Sequence, residues 1–241
     1  MGQRLDIELF AGNKSQMMAN CYYHWSAYTL SALLTVKAVI ENYYKIKDEY
    51  KDDPFMLAVK CFEIPDYSFK MNEETGELER VQVYAGLCKS SHKLMKFLYP
   101  DTEIHEGADR NVGLISIHPS DVKETRDWEE GRARVYLDAE EFSLDIWFDM
   151  SEEEFIEDLL DNYPECDVKR ELSHIPKIPD DIPINEDRFP YGLIPFKDID
   201  KIIEFAESFS YRPMEVDPDN VTSVYWYTDS NGNKRYIQII G

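Results

Sequence analysis

The sequence predicts an α+β fold with a mainly antiparallel sheet built from hairpins and flanked by helices. Three observations carry that expectation. Three pairs of β-prone runs are each joined by a short turn. Segments of helical period are scattered between them. No strand-helix-strand rhythm repeats along the chain, as a parallel α/β sheet would require.

Residues 4 to 10 alternate, with Leu5, Ile7 and Leu9 on one side and Arg4, Asp6 and Glu8 on the other, the pattern of a half-buried strand with a wet face. Ala11-Gly12-Asn13-Lys14-Ser15 supplies turn chemistry, and Met17 to Tyr23 reads as the returning strand. Thr29 or Ser31 can cap a helix to about Lys47, whose apolar side collects Ala32, Leu33, Val36, Val39, Ile40, Tyr43, Tyr44 and Ile46. Asp53-Pro54 is an N-cap followed by proline at the first helical position, opening a short helix through Phe62. Residues 63 to 80 read as turn-rich; within the ambiguous stretch Leu78 to Tyr99, Val81 to Tyr84 can form a strand and Ser91 to Leu98 reads as a helix stopped by Pro100. Val112 to Ile117 is β-prone, and Ser120 can cap an acidic helix to about Glu130.

Residues 132–138 and 142–149 both alternate across Ala139-Glu140-Glu141, which predicts a second hairpin. Ser151-Glu152-Glu153-Glu154 has the spacing of a capping box, and Phe155, Ile156, Leu159 and Leu160 give the following helix an apolar side. From Tyr163 to Pro195 the prolines recur too often for regular structure, so a long acidic arm is expected there. Asp198 or Asp200 opens a last helix, and Asn231-Gly232 joins two β runs, Ser223 to Thr228 and Arg235 to Ile240, as a third hairpin. With no internal repeat and no low-complexity linker, residues 1–241 are expected to form one α+β domain with the proline-rich arm at about 163–195. A division near 163–190 is the alternative.

Charge is the outlier of the composition. Forty-eight Asp and Glu against 26 Lys and Arg give a formal net charge of −22 at pH 7. Sequence-led binding to nucleic acid or anionic membrane needs clustered cations and is not expected. No apolar run approaches the length of a membrane span. The four cysteines show no CxxC pair, and the five histidines never fall in a metal-ligand spacing, so neither a metal nor another cofactor is expected. No phosphate loop, dinucleotide fingerprint or nucleophile elbow occurs. The absence of an apolar leader and the cysteine usage point to a reducing cytoplasm.

Two stretches concentrate chemistry. Asn20 to Thr29 holds Tyr22, Tyr23, Trp25 and Tyr28 with Cys21, His24 and Ser26 and no charged residue. Cys21 and His24 suggest a nucleophile and base, yet in a strand they point to opposite sides and meet only if the chain bends. The competing reading is an aromatic end of the core with His24 hydrogen-bonded inside it. His105 to Asn111 gathers an imidazole, carboxylates, Arg110 and Asn111 before a β-prone run, where a solvated loop is the competing reading. Tyr23, His24, Ser26, Arg110 and Asn111 are thus the catalytic candidates. The acidic segment is the stronger physical signal, with eighteen Asp and Glu against four Lys and Arg between Asp138 and Arg188. Asp145, Asp149, Glu153 and Glu157 are expected to form a negative strip along one strand face and the first turns of the next helix. Rigid carboxylates of that kind suit a basic groove made for phosphates.

The opening Met1-Gly2-Gln3-Arg4-Leu5 with Tyr22-Tyr23-His24-Trp25-Ser26-Ala27-Tyr28-Thr29 resembles uncharacterised proteins encoded by bacteriophages and prophages of Gram-positive bacteria. Ala108 to Asn111 with Gly113 to Ile115 is similar to a second block of that group. The resemblance covers two short segments and implies no activity, cofactor or catalytic residue. It implies a phage accessory role in the host cytoplasm, including inhibition of a host defence system. Two functions are therefore carried forward. One is a non-enzymatic acidic protein that binds a basic host protein, such as a nucleic-acid-processing or defence complex, by nucleic-acid mimicry. The alternative is a small hydrolase or transferase with a pocket around His24 and Arg110.

Overall fold

A computed structural model of the chain describes residues 4–11, 17–23, 26–63, 65–72, 74–84, 113–116, 130–146, 149–182, 190–208 and 222–240. It is mixed α and β, with antiparallel pairing dominant, as the hairpin signals require. Internal contacts group the chain into two compact units, Met1–Ala27 with Thr35–Glu141 and Tyr28–Leu34 with Phe142–Gly241.

In the first unit, β1 (Leu5–Phe10) and β2 (Met17–Tyr23) form the predicted opening hairpin. β5 (Gly113–Ser116) pairs antiparallel with β2, and β6 (Gly131–Tyr136) pairs parallel with β1, giving the order β5-β2-β1-β6. One side of this sheet is apolar: Leu5, Ile7, Leu9, Ala19, Cys21, Tyr23, Ala133 and Val135 are all buried. α2 (Pro54–Cys61) packs against β2 and buries Leu57, Ala58, Val59 and Cys61. The Asp53 carboxylate accepts from the Met56 backbone N–H at 3.0 Å, so cap and proline start this helix as expected.

α1 (Thr29–Ile46) starts and stops within a residue of its expected bounds and buries Ala32, Leu33, Val36, Val39, Ile40 and Tyr43. Tyr44, expected on the same side, is 44% exposed. Its hydroxyl donates to Glu140 at 3.0 Å, and Lys47 meets the same carboxylate at 2.9 Å while lying 4.7 Å from the Tyr44 ring centroid. Glu140 follows a 3₁₀ turn at Leu137–Ala139 with φ of 50°, a left-handed backbone that a non-glycine residue holds only when tied down.

Two expectations fail locally. Residues 63–80 are not merely turns, since β3 (Pro65–Met71) and β4 (Leu78–Tyr84) form a seven-residue antiparallel hairpin around Gly76. Gly76 has φ of 70°, and this turn chemistry masked the strands on either side of it. The proline-rich stretch is not a structureless arm either. Asp167 caps α4 (Val168–His174), whose flanking prolines at 164 and 176 bracket the helix instead of breaking it, and β9 (Pro190–Pro195) follows. The expected helices at Ser91 to Leu98 and Ser120 to Glu130 lie outside the described residues.

In the second unit, β7 (Glu141–Ile146) is the sheet neighbour of β9. β10 (Thr222–Thr228) and β11 (Lys234–Ile240) make the C-terminal hairpin about Asn231-Gly232, with Gly232 at φ of 85°. β8 (Asp149–Ser151) adds to the outer edge of β11. α3 (Glu152–Asn162) lays Phe155 and Leu159 onto this small sheet with Ile175, Val224 and Tyr236. Phe155 and Tyr236 stack with centroids 4.7 Å apart. α5 (Ile199–Ser208) buries Ile199, Ile202, Ile203, Phe205 and Ala206, with Phe205 against Tyr225.

Candidate functional site

The first candidate region is α3 and the strands beside it. Ser151 and Glu154 close the predicted capping box: the Ser151 hydroxyl accepts from the Glu154 N–H at 3.1 Å, and the Glu154 carboxylate accepts from the Ser151 N–H at 2.8 Å. That backbone bond holds the Glu154 carboxyl below its ordinary range. With Phe155 and Leu159 fixed inward, the helix turns Glu153, Glu154, Glu157, Asp158 and Asp161 outward, all exposed. Glu153, Glu157 and Asp161 recur every four residues in one row, and Glu154 and Asp158 form a second row beside it. α3 contains no basic residue, and its last turn carries acids where the helix dipole favours cations.

The expected strip is divided by the fold. Glu153 and Glu157 are exposed, whereas Asp145 on β7 is half-buried. Asp149 is gripped bidentately by Arg235, at 3.1 Å from Nε and 2.8 Å from Nη2, and its side chain is 19% exposed. The same contact raises the Arg235 pKa. Glu152 accepts from the Tyr236 hydroxyl at 3.0 Å and lies 3.9 Å from Lys234. Ser151, Glu152, Glu153, Asn233, Lys234 and Arg235 line an open cleft of about 530 Å³ at the start of α3.

The second region lies on the side of β1 that the sequence pattern assigned to water. Asp6 and Glu8, expected on a wet strand face, are 0% and 1% exposed. Both faces of β1 are buried, and the polar one forms a ladder with β6. Register sets Asp6 beside Arg132, Glu8 beside Arg134 and Phe10 beside Tyr136. One step further out, Arg4 grips Glu130, with Nη2 at 2.7 Å from Oε1. The Arg134 Nε donates to Glu8 at 3.1 Å, and the Phe10 and Tyr136 rings stack at 5.1 Å. On the other flank of β1, Tyr22 stands opposite Asp6 and Asn20 opposite Glu8, and the Asn20 Nδ2 donates to Asp6. Burial pushes the Tyr22 phenol up to about 12, with smaller effects from the charges of Arg4, Glu130 and Asp6, so it is a neutral hydroxyl at physiological pH.

Of the catalytic candidates, Tyr23 and Ser26 are buried, at 4% and 2% exposure. Tyr23 belongs to the apolar side of the sheet with Cys21, opposite to Tyr22 and Asn20. His24, Arg110 and Asn111 lie outside the described residues. The missed residues, Asp6, Glu8 and Asn20, left one trace in the sequence: acids alternating with core aliphatics in the same way as the basic residues of Arg132-Ala133-Arg134-Val135. Among the described residues no group of three or more His, Cys, Asp or Glu could hold a metal ion, and no helix is long and apolar enough to cross a membrane. Comparison with protein-family models, curated proteins and solved structures finds no match for the chain.

Proposed function

We propose that this chain is a non-enzymatic acidic protein that docks on a basic partner protein through the outward face of α3. The observation that carries the reading is the row Glu153, Glu157 and Asp161 on a helix with no basic residue. Like charges four residues apart destabilise a helix, and acids in the last turn oppose its dipole. Neither feature serves the fold, which already holds α3 by its capping box and by Phe155 and Leu159. Among the described ion pairs, Glu153, Glu157 and Asp161 take no part, so a partner's lysines and arginines meet carboxylates that no described cation already holds. With a net charge of −22, long-range attraction to such a surface speeds encounter. The partner surface that fits best is a groove that ordinarily faces phosphates, as in a host nucleic-acid-processing or defence complex.

The test compares the wild type with the double variant Glu153→Lys/Glu157→Lys. Both are immobilised in bacterial lysate, and a protein retained by the wild type alone is purified for kinetics. Its association rate should fall steeply with added salt and drop at least about tenfold in the variant, while dissociation changes little. Equal retention by both proteins, or an association rate indifferent to salt, refutes docking by α3.

A further inference from the structure

The accessible surface of α3 is not acidic throughout. Phe155 and Leu159 mark the buried line of the helix, and the two flanks of that line differ. On one flank stand Glu154, Asp158 and Asn162, all exposed and polar. At matching angles on the other flank stand Ile156 and Leu160, followed by Tyr163 at the C-cap. Leu160 is 37% exposed, and Ile156 and Tyr163 are half-buried. These three recur at i, i+4 and i+7, the spacing by which a helix lays an apolar strip into a groove. Ile156 is the i+3 neighbour of Glu153, and Leu160 that of Glu157, so the strip runs directly beside the row Glu153, Glu157 and Asp161. The docking face therefore carries two parallel tracks, one anionic and one apolar.

Phosphate-facing grooves come in two kinds, which would meet these tracks differently. A duplex keeps its bases stacked inside, and a protein that grips it meets mainly phosphates, which call for lysine and arginine. A single strand offers phosphates along one side and the faces of unstacked bases along the other. Its groove answers with cationic side chains beside aromatic platforms. An acidic row next to an apolar strip is complementary to that second groove in both charge and polarity. Building on the docking of α3 proposed above, we propose that the basic partner is a protein whose groove binds single-stranded nucleic acid. Glu153, Glu157 and Asp161 take the places of phosphates, and Ile156, Leu160 and Tyr163 those of stacked bases.

The experiment loads bacterial lysate on two resins, one carrying oligothymidine and the other a duplex of equal length, and elutes each with the full chain. The chain should release a protein from the single-stranded resin and not from the duplex resin. Free oligothymidine should compete with the chain for the purified protein. In kinetics with that protein, Leu160→Gln keeps length and helix propensity. It should raise the dissociation rate about threefold to sixfold, the change expected from losing burial of the accessible 37% of the leucine, with association unchanged. Leu160→Met should bind as the wild type does. No release from the single-stranded resin, equal release from the duplex resin, or unchanged dissociation in Leu160→Gln overturns the proposal. A partner that is lost with Glu153→Lys/Glu157→Lys but is indifferent to oligothymidine leaves α3 docking standing and removes this inference alone. An association rate indifferent to salt removes both. If Leu160→Gln does not fold, the competition with oligothymidine decides alone.

Discussion

Removing the Glu8 carboxylate tests whether the buried ladder between β1 and β6 holds as a set of pairs. Glu8 is 1% exposed at its side chain and Arg134 16%, and Nε donates to Oε2 at 3.1 Å. Breaking one partner of such a pair leaves the other charge buried without compensation, at a cost of about 3–5 kcal/mol. Glu8→Leu and Arg134→Met should each approach that loss. The double variant removes both charges and keeps apolar volume, so the stranded-charge penalty disappears and its loss should be no greater than that of the worse single change. The coupling energy is then at least about 3 kcal/mol, at the upper end of the range for residues in direct contact. Urea unfolding of the four proteins, followed by far-ultraviolet circular dichroism, measures it as a double-mutant cycle. Losses that add to within about 0.5 kcal/mol would show that Glu8 and Arg134 act independently and would refute the ladder.

The core of the second unit rests on Phe155, 1% exposed and stacked on Tyr236, so Phe155→Ala should cost about 3–5 kcal/mol in denaturant unfolding, and a loss under about 1 kcal/mol would contradict this packing. Hydrogen bonding to Lys47 lowers the Glu140 pKa from 4.5, so this carboxylate adds stability above pH 4.5 and loses it as pH falls through its lower folded value. The Tm difference between wild type and Glu140→Gln should accordingly be present at neutral pH and vanish in acid, with a pH-independent difference as the contrary result. Burial pushes the Cys61 thiol up to about 12, and Cys21 is 0% exposed, whereas Cys166 is half-buried. Iodoacetamide with mass-spectrometric mapping should therefore label Cys166 well before Cys21 or Cys61 in the native protein.

What the sequence determined by itself was whatever depends on residues a few positions apart. Asp53 with Pro54 opened α2, Ser151 with Glu154 capped α3, and Asn231-Gly232 turned the last hairpin, because each signal is complete within four residues. The same locality made Glu153 and Glu157 legible as exposed acids, since Phe155 and Leu159 fix which side of α3 faces inward. Frequent prolines hid α4, and the turn at Gly76 hid β3 and β4, because breaker residues give a stronger local signal than the short regular run next to them. Only tertiary structure decided the fate of Asp6 and Glu8. Alternation with leucine and isoleucine says that they face away from Leu5 and Ile7, not whether that side meets water. The partners that fill it, Arg132 and Arg134, come from a parallel strand, and the Arg134 to Glu8 bond spans 126 residues. Parallel pairing has no turn to announce it, so the complementary order of charges on the two strands acquires meaning only when folding sets them side by side.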